Sequence, residues 1–103
     1  MFEIILSDEA EEQFNSLDKA SYKKVFKDFE KFEKLGSRAV DSRDLTKDLW
    51  EIRTDNIRSY YSYEGNKIII VGLIVLKKSQ KAPKRFIEQA IRNIEKTKKE
   101  LNI

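Results

Sequence analysis

The part of the sequence best suited to chemistry is a basic segment at residues 77–85. It reads Lys77-Lys78-Ser79-Gln80-Lys81-Ala82-Pro83-Lys84-Arg85 and holds five basic side chains and no acidic one. Such a segment produces a local field that attracts polyanions. An ordinary solvated loop is the alternative, and charge alone does not choose between them.

Two arginines and a tyrosine can converge on this basic segment. Arg53 ends one predicted strand and Arg58 begins the next, so the two flank a tight turn. Tyr60 shares a face with Arg58, because side chains two apart on a strand point the same way. Guanidinium groups bind phosphate through paired hydrogen bonds, ammonium groups add point charges, and a phenol can stack on a base. The set suits nucleic acid, although a charged rim with Tyr60 packed locally explains it equally well.

Other kinds of chemistry are excluded by composition. The chain has no His and no Cys, which excludes Ser-His-Asp and Cys-His catalysis, disulfides and nearly all zinc sites. Gly36, Gly65 and Gly72 are isolated and cannot build a phosphate-binding loop. The acids at positions 8–12 open a helix, where solvated carboxylates are normal. We therefore expect no metal and no small-molecule cofactor.

Length and composition predict a single domain over residues 1–103. A chain of this size that is 40% hydrophobic can bury one core but not two. The net charge of +3 hides an asymmetry, since residues 1–48 are net acidic and residues 49–103 carry twice as many basic as acidic side chains. No segment has the length and hydrophobicity of a membrane span, and no secretory signal is recognisable. We expect a cytoplasmic protein without membrane association.

Hydrophobic periodicity predicts the elements that position these residues. A strand at residues 2–6 leads into a helix capped by Ser7, and Asp18 caps a second, longer helix that stops at Gly36. The two helices should form a hairpin. The aromatic side chains expected in the core are Phe26, Phe29, Phe32 and Trp50.

The second half of the chain predicts a sheet and a last helix. Residues 36–48 lack a period and are expected to be a surface connection. Strands are predicted at 49–53, 57–64 and 67–76; the last is apolar on both faces and should lie centrally, covered on both sides. A helix starts at Pro83. The order β-α-α-β-β-β-α predicts an α+β fold of two layers, with a helical hairpin and a C-terminal helix around a small, largely antiparallel sheet.

Three of these segments together resemble a known family. They are Leu49-Trp50-Glu51-Ile52-Arg53, then Ile57-Arg58 with Tyr60-Tyr61, and then Lys77-Lys78-Ser79-Gln80-Lys81-Ala82-Pro83 before a helix. The pattern is similar to the HigB branch of the RelE/ParE toxin superfamily. The resemblance implies the toxin of a type II toxin-antitoxin pair, typically a ribonuclease that enters the ribosomal A site and cuts mRNA. It also implies a cognate antitoxin partner, often a helix-turn-helix protein.

The sequence departs from this pattern in one place. Many relatives carry a His-Gly-Phe-like segment before the paired lysines, where this chain has Leu73-Ile74-Val75. Any chemistry performed by that histidine must be done differently here. Other members of the superfamily inhibit DNA gyrase without cutting RNA. A gyrase inhibitor, and an inactive homologue that acts only in an antitoxin complex, are therefore alternatives.

The resulting site hypothesis is a metal-independent endoribonuclease. Arg53 and Arg58 stabilise the transition state, and one lysine of the basic segment transfers protons. Crowding by other cations lowers the pKa of a lysine, so more of it is unprotonated and able to accept a proton at neutral pH. The predicted catalytic residues are Arg53, Arg58, Lys77, Lys78 and Lys81, and the predicted RNA-binding residues are Tyr60, Gln80, Lys84 and Arg85.

Overall fold

A computed structural model describes residues 1–77 and 81–103 and contains the predicted elements with two additions, a short 3-10 turn and a strand. The elements are β1 (Glu3–Leu6), α1 (Asp8–Asn15), α2 (Lys19–Leu35), a short 3-10 turn (Ser37–Ala39), β2 (Ser42–Thr46), β3 (Leu49–Thr54), β4 (Ile57–Glu64), β5 (Ile68–Leu76) and α3 (Lys84–Leu101). The sheet order is β1-β5-β4-β3-β2. Strand β1 is parallel to β5, and the other neighbours are antiparallel. The predicted α+β class and largely antiparallel sheet are confirmed.

Both additions lie in residues 36–48, which were predicted to be only a surface connection, and β2 extends the sheet by one strand. It pairs with β3 from Ser42 opposite Ile52 to Thr46 opposite Leu49. Its sequence gives no alternating apolar signal because it is an edge strand whose side chains are mostly exposed. Backbone pairing with β3 holds it in place, and that pairing is invisible in the sequence.

The predicted helix boundaries are confirmed by their capping contacts. Ser7 Oγ accepts a hydrogen bond from the backbone N–H of Ala10 at 3.1 Å and caps α1. Asp18 Oδ1 accepts from the N–H of Ser21 at 2.7 Å and caps α2. Gly36, with φ of +84°, ends α2. These contacts satisfy donors that the first turn of each helix leaves without a helical partner.

The sheet lies between two helical layers, one layer more than expected, because β5 is apolar on both faces. Helices α1 and α2 cover one face, here called the hairpin face, and α3 covers the other, the α3 face. The hairpin face buries Ala10, Phe14, Val25, Phe29, Phe32, Ile52, Ile57, Tyr61, Ile69, Val71 and Ile74. The α3 face buries Leu49, Tyr60, Ile70, Leu73, Ala90 and Ile94.

Two aromatic side chains of the predicted core are less buried than the rest. Phe26 was placed wrongly: it is 46% exposed and stacks beside Tyr22 instead of packing on the sheet. The periodicity of α2 spreads apolar residues over more of the helix surface than the sheet covers. Trp50 is partly buried and packs against the hairpin-face core.

Gly72 sets how closely α3 approaches the sheet. It is the extra residue of a bulge in β5, because Tyr60 pairs with Leu73 while Tyr61 pairs with Val71. A Cβ atom on Gly72 would lie 2.5 Å from the carbonyl oxygen of Ala90 in α3. The Gly72 carbonyl accepts hydrogen bonds from Ser7 Oγ at 2.9 Å and Asn93 Nδ2 at 2.8 Å. Through these hydrogen bonds, the bulge connects both helical layers to β5.

Candidate nucleic-acid interface

Four polar side chains lie together on the α3 face, at the end of the sheet where β3 turns into β4. Arg53 pairs directly with Arg58 across the two strands, and Glu51 pairs with Tyr60. Because alternate residues of a strand share a face, all four side chains point the same way. We call this group the polar patch (Glu51, Arg53, Arg58 and Tyr60).

A buried carboxylate anchors the polar patch. Glu51 is fully buried, and its Oε2 accepts a hydrogen bond from Arg53 Nε at 2.7 Å. This bond raises the pKa of Arg53, so the guanidinium stays charged. The two terminal nitrogens of Arg53 make no hydrogen bond within the described part of the chain, and the side chain is 30% exposed. Glu51 thus holds Arg53 by its inner nitrogen and leaves its outer edge for an anion.

The sequence prediction missed Glu51. A carboxylate between Trp50 and Ile52, inside a mostly apolar strand, was the available signal. An acid at such a position needs a partner when buried, and Arg53 is two residues away on the same face. Strand alternation alone could have paired the two residues.

Arg58 is bound to the turn that it flanks. Its Nη1 donates to the carbonyl oxygen of Asp55 at 2.7 Å and to that of Ile57 at 3.1 Å. Asp55 begins the tight turn with φ of +54°. Two arginines side by side repel each other. The patch has one carboxylate for two guanidinium groups, so an added anion would relieve this repulsion.

Tyr60 does not lie where a base could stack on it. Its side chain is fully buried in the α3-face core. Burial raises the pKa of the phenol, and the nearby charge of Glu51 raises it further. The hydroxyl therefore remains protonated at neutral pH and can donate a hydrogen bond. The expectation of a stacking ring is replaced by that of a hydroxyl donor.

Hydrogen-bonding capacity without a partner is concentrated in this patch. Within the described residues, the buried side-chain atoms with no hydrogen-bond partner are Glu51 Oε1, Arg58 Nε, Ser59 Oγ and Tyr60 Oη. Three of the four belong to the polar patch. Each such group costs about 1–3 kcal/mol when left unpaired. The polar patch therefore contains donors and an acceptor that the described residues leave unsatisfied.

The basic segment begins beside the same turn. The backbone N–H of Lys77 donates to the carbonyl oxygen of Asn56 at 2.7 Å. Lys81 is exposed, as are Lys84 and Arg85 in the first turn of α3. The structure therefore joins the start of the basic segment to the turn that carries Arg53 and Arg58. The predicted residues Lys78 and Gln80 lie outside the described residues.

The start of α3 also favours an anion. Pro83, expected inside the first turn, is instead the residue before it, and it makes no side-chain capping bond. The first turn contains no acidic residue, whereas that of α1 contains three. No acidic side chain of this first turn therefore offsets the positive end of the helix dipole. Ala82 and Phe86 pack against the core that contains Tyr60, which places this helix end near the polar patch.

Neither a cluster of metal-ligating side chains nor a membrane-spanning helix is present among residues 1–77 and 81–103. No group of three or more His, Cys, Asp or Glu side chains is arranged to hold a metal ion there. Over the same residues, no helix combines the length and apolar character needed to cross a membrane.

The architecture defines a class: an α+β domain with three helices and a five-stranded, mostly antiparallel sheet, compatible with a RelE-like fold. A family model described as "Phage derived protein Gp49-like (DUF891)" matches residues 12–95, and the chain belongs to this family. The family is associated with toxins of toxin-antitoxin systems and so suggests an antitoxin partner. No curated protein matches the chain.

Proposed function

We propose that this protein is a HigB-like toxin of a type II toxin-antitoxin system and a metal-independent endoribonuclease that cuts mRNA on the ribosome. The observation that supports it most is the polar patch. Glu51 holds Arg53 opposite Arg58, and the basic segment starts at the adjoining turn. The Gp49-like family match supports the toxin-antitoxin context.

The reaction uses the RNA's own 2′-hydroxyl. Its oxygen attacks the adjacent phosphorus while the bond to the 5′-oxygen breaks, leaving a 2′,3′-cyclic phosphate and a 5′-hydroxyl. One of Lys77, Lys78 and Lys81 accepts the 2′-proton, and a proton is returned to the leaving oxygen. No water molecule and no metal is consumed or required.

The polar patch stabilises the charge that develops on the phosphate. The terminal nitrogens of Arg53 and the guanidinium of Arg58 bind the non-bridging oxygens, and the Tyr60 hydroxyl donates a hydrogen bond. Gln80, Lys84 and Arg85 position the strand from the basic segment and the start of α3. Because Glu51 keeps Arg53 in place before RNA binds, little reorganisation is needed in the transition state.

The experiment compares two variants that lose the same charge. Wild-type protein should arrest growth, and primer extension on cellular mRNA should show cuts in phase with codons. Arg58→Ala/Lys78→Ala/Lys81→Ala should abolish the cuts. Arg92→Ala/Lys96→Ala/Lys99→Ala removes three exposed cations of α3 and should leave them intact. Both purified variants should unfold at about the wild-type temperature.

Three results would overturn this proposal. Codon-phased cuts that persist in the first variant would remove the assigned site. Growth arrest with intact mRNA and blocked DNA supercoiling in a purified assay would indicate a gyrase inhibitor. Expression that neither slows growth nor cuts mRNA would leave a protein that acts only in its antitoxin complex, which is expected to involve a helix-turn-helix partner.

A further inference from the structure

A second cationic surface lies beside the polar patch, in the half of the chain that is net acidic. It is a cleft with a volume of about 480 Å³ between α2 and the end of β3. Lys24, Lys27 and Lys31 of α2 line it, together with Arg38 and Arg53. We call it the α2 cleft.

The acids of the α2 cleft are already engaged. Asp28 accepts a hydrogen bond from Thr54 Oγ1 at 2.5 Å. Asp55 pairs with Lys24 at 2.8 Å, and Asp41 pairs with Arg43 at 2.8 Å. Asp55 and Asp41 are thus paired with cations, whereas Asp28 keeps its negative charge, and the lining as a whole has five basic and three acidic side chains.

Three of the five cations that line the cleft are available to a ligand. Lys27, Lys31 and Arg38 are exposed and form no ion pair with any described residue. Lys27 and Lys31 are four residues apart on one helix, where like charges destabilise the helix by a few tenths of a kcal/mol. The arrangement therefore does not serve the stability of α2, and it places positive charge along the side of the helix that borders the end of β3.

Arg53 belongs to both the polar patch and the α2 cleft. Although the patch faces α3 and the cleft borders α2, a polyanion bound by Arg53 in the patch can pass around this end of β3 into the cleft. Adjacent helical turns present Lys27 and Lys31 about 6 Å apart along the helix, which suits successive groups of a repeating polyanion. A single small anion would need only one of them.

We infer that the α2 cleft binds the sugar-phosphate backbone of the RNA strand beyond the phosphate held in the polar patch. This inference rests on the proposed function and adds a second phosphate-binding site to it. The ligand class is a single RNA strand, bound through its phosphates and without reading the bases. Lys27, Lys31 and Arg38 supply the contacts, and Arg53 connects the two sites.

The test measures binding of a short single-stranded RNA that cannot be cut because its 2′-oxygens are methylated. Fluorescence anisotropy is recorded over a range of salt concentrations for Lys27→Gln/Lys31→Gln/Arg38→Gln. The matched control is Arg92→Gln/Lys96→Gln/Lys99→Gln, which also removes two lysines and one arginine, in this case from an exposed face of α3. Both variants change the net charge equally, so any difference between them in RNA binding is due to the position of the charges that were removed.

The cleft variant should bind at least about tenfold more weakly near physiological salt, and its salt dependence should fall by about two units for three lost phosphate contacts. The control should stay within about twofold of wild type. Equal effects in the two variants would overturn the inference. So would unchanged RNA binding combined with loss of antitoxin binding, since that result would make the cleft a protein-binding surface.

Arg58→Gln separates this inference from the proposed function. If Arg58→Gln stops mRNA cutting while the cleft variant binds and cuts normally, the cleft inference fails and the proposed function stands. If the wild-type protein neither binds RNA nor cuts mRNA, both fail.

Discussion

Two adjacent tyrosines show how differently the two faces of the sheet are built. Tyr60 and Tyr61 are consecutive in β4, both are fully buried, and they point to opposite faces. The Tyr61 hydroxyl shares a hydrogen bond of 2.6 Å with Ser42 Oγ. The Tyr60 hydroxyl has no partner among the described residues and lies next to Glu51 and Arg58. Among the described residues, the hairpin face leaves only Ser59 Oγ buried without a partner, whereas the α3 face leaves Glu51 Oε1, Arg58 Nε and Tyr60 Oη unpaired at one end.

The aromatic rings around Tyr61 also distinguish the hairpin face from the α3 face. Phe32 contacts Tyr61 edge-on with the ring centroids 5.3 Å apart, and Trp50 contacts Tyr63 edge-on at 4.9 Å. Such pairs add to the free energy gained from burial alone. The hairpin face therefore stabilises the fold, so the end of the α3 face can carry Glu51 and two arginines at some cost in stability.

The largest expected effect is on the hairpin face. Phe32→Ala should lower the free energy of unfolding by about 3–5 kcal/mol, because a fully buried ring in an aromatic cluster is replaced by a cavity. Urea denaturation measures the change. Phe26→Ala on the same helix is the control and should cost about 1 kcal/mol or less, since Phe26 is half exposed. Similar costs for both variants would contradict the assignment of Phe32 to the main core.

The second prediction concerns the ion pair of the α3 face. Arg53→Ala should lower the free energy of unfolding by about 3 kcal/mol, because it leaves the buried Glu51 carboxylate without its cation. Glu51→Gln/Arg53→Gln should recover most of that loss, since the charge is removed together with its partner. Lys98→Ala is the control: it breaks the pair with Glu64, whose atoms lie 3.2 Å apart on more exposed side chains, and it should cost clearly less than Arg53→Ala. A double variant no more stable than Arg53→Ala would show that the charge of Glu51 is not what matters.

The third prediction concerns Tyr61, the tyrosine whose hydroxyl has a hydrogen-bond partner. Tyr61→Phe should lower the free energy of unfolding by about 1 kcal/mol, because the buried hydrogen bond to Ser42 is lost and the serine hydroxyl is left without it. Urea denaturation again measures the change. In the Ser42→Ala background, the same substitution should cost less, since the partner is already absent. Equal costs in both backgrounds would mean that the hydroxyls do not interact energetically.

The sequence predicted local features of the fold better than its long-range pairings. Ser7, Asp18 and Gly36 set helix ends through contacts within a few residues, so their roles were readable in advance. Strand β2 was missed because an exposed edge strand has no apolar period. Phe26 was misplaced because periodicity gives the direction of a side chain and not the width of the surface that covers it.

The candidate site was predictable in its types of residue and only partly in its arrangement. The pairing of Arg53 with Arg58 follows from a tight turn between two strands, which the sequence indicated. The α2 cleft was not foreseen, since its excess positive charge depends on which acids are already paired, and those contacts join residues up to 31 positions apart. Counting the charges of residues 1–48 in the sequence gives a net negative charge, whereas the cleft is net positive.

The smallest effect on stability is expected at the unpaired tyrosine, and it separates the two faces most clearly. Tyr60→Phe should change the free energy of unfolding by less than about 0.5 kcal/mol, or raise it, because the hydroxyl that is removed has no partner within the described residues. In the proposed nuclease the same substitution should slow mRNA cutting by about tenfold, since a donor to the transition-state phosphate is lost. Tyr61→Phe provides the converse, with lower stability and unchanged cutting. If instead Tyr60→Phe cost as much stability as Tyr61→Phe and left cutting unchanged, its hydroxyl would be an ordinary structural group, and the polar patch would be reduced to Glu51 and the two arginines.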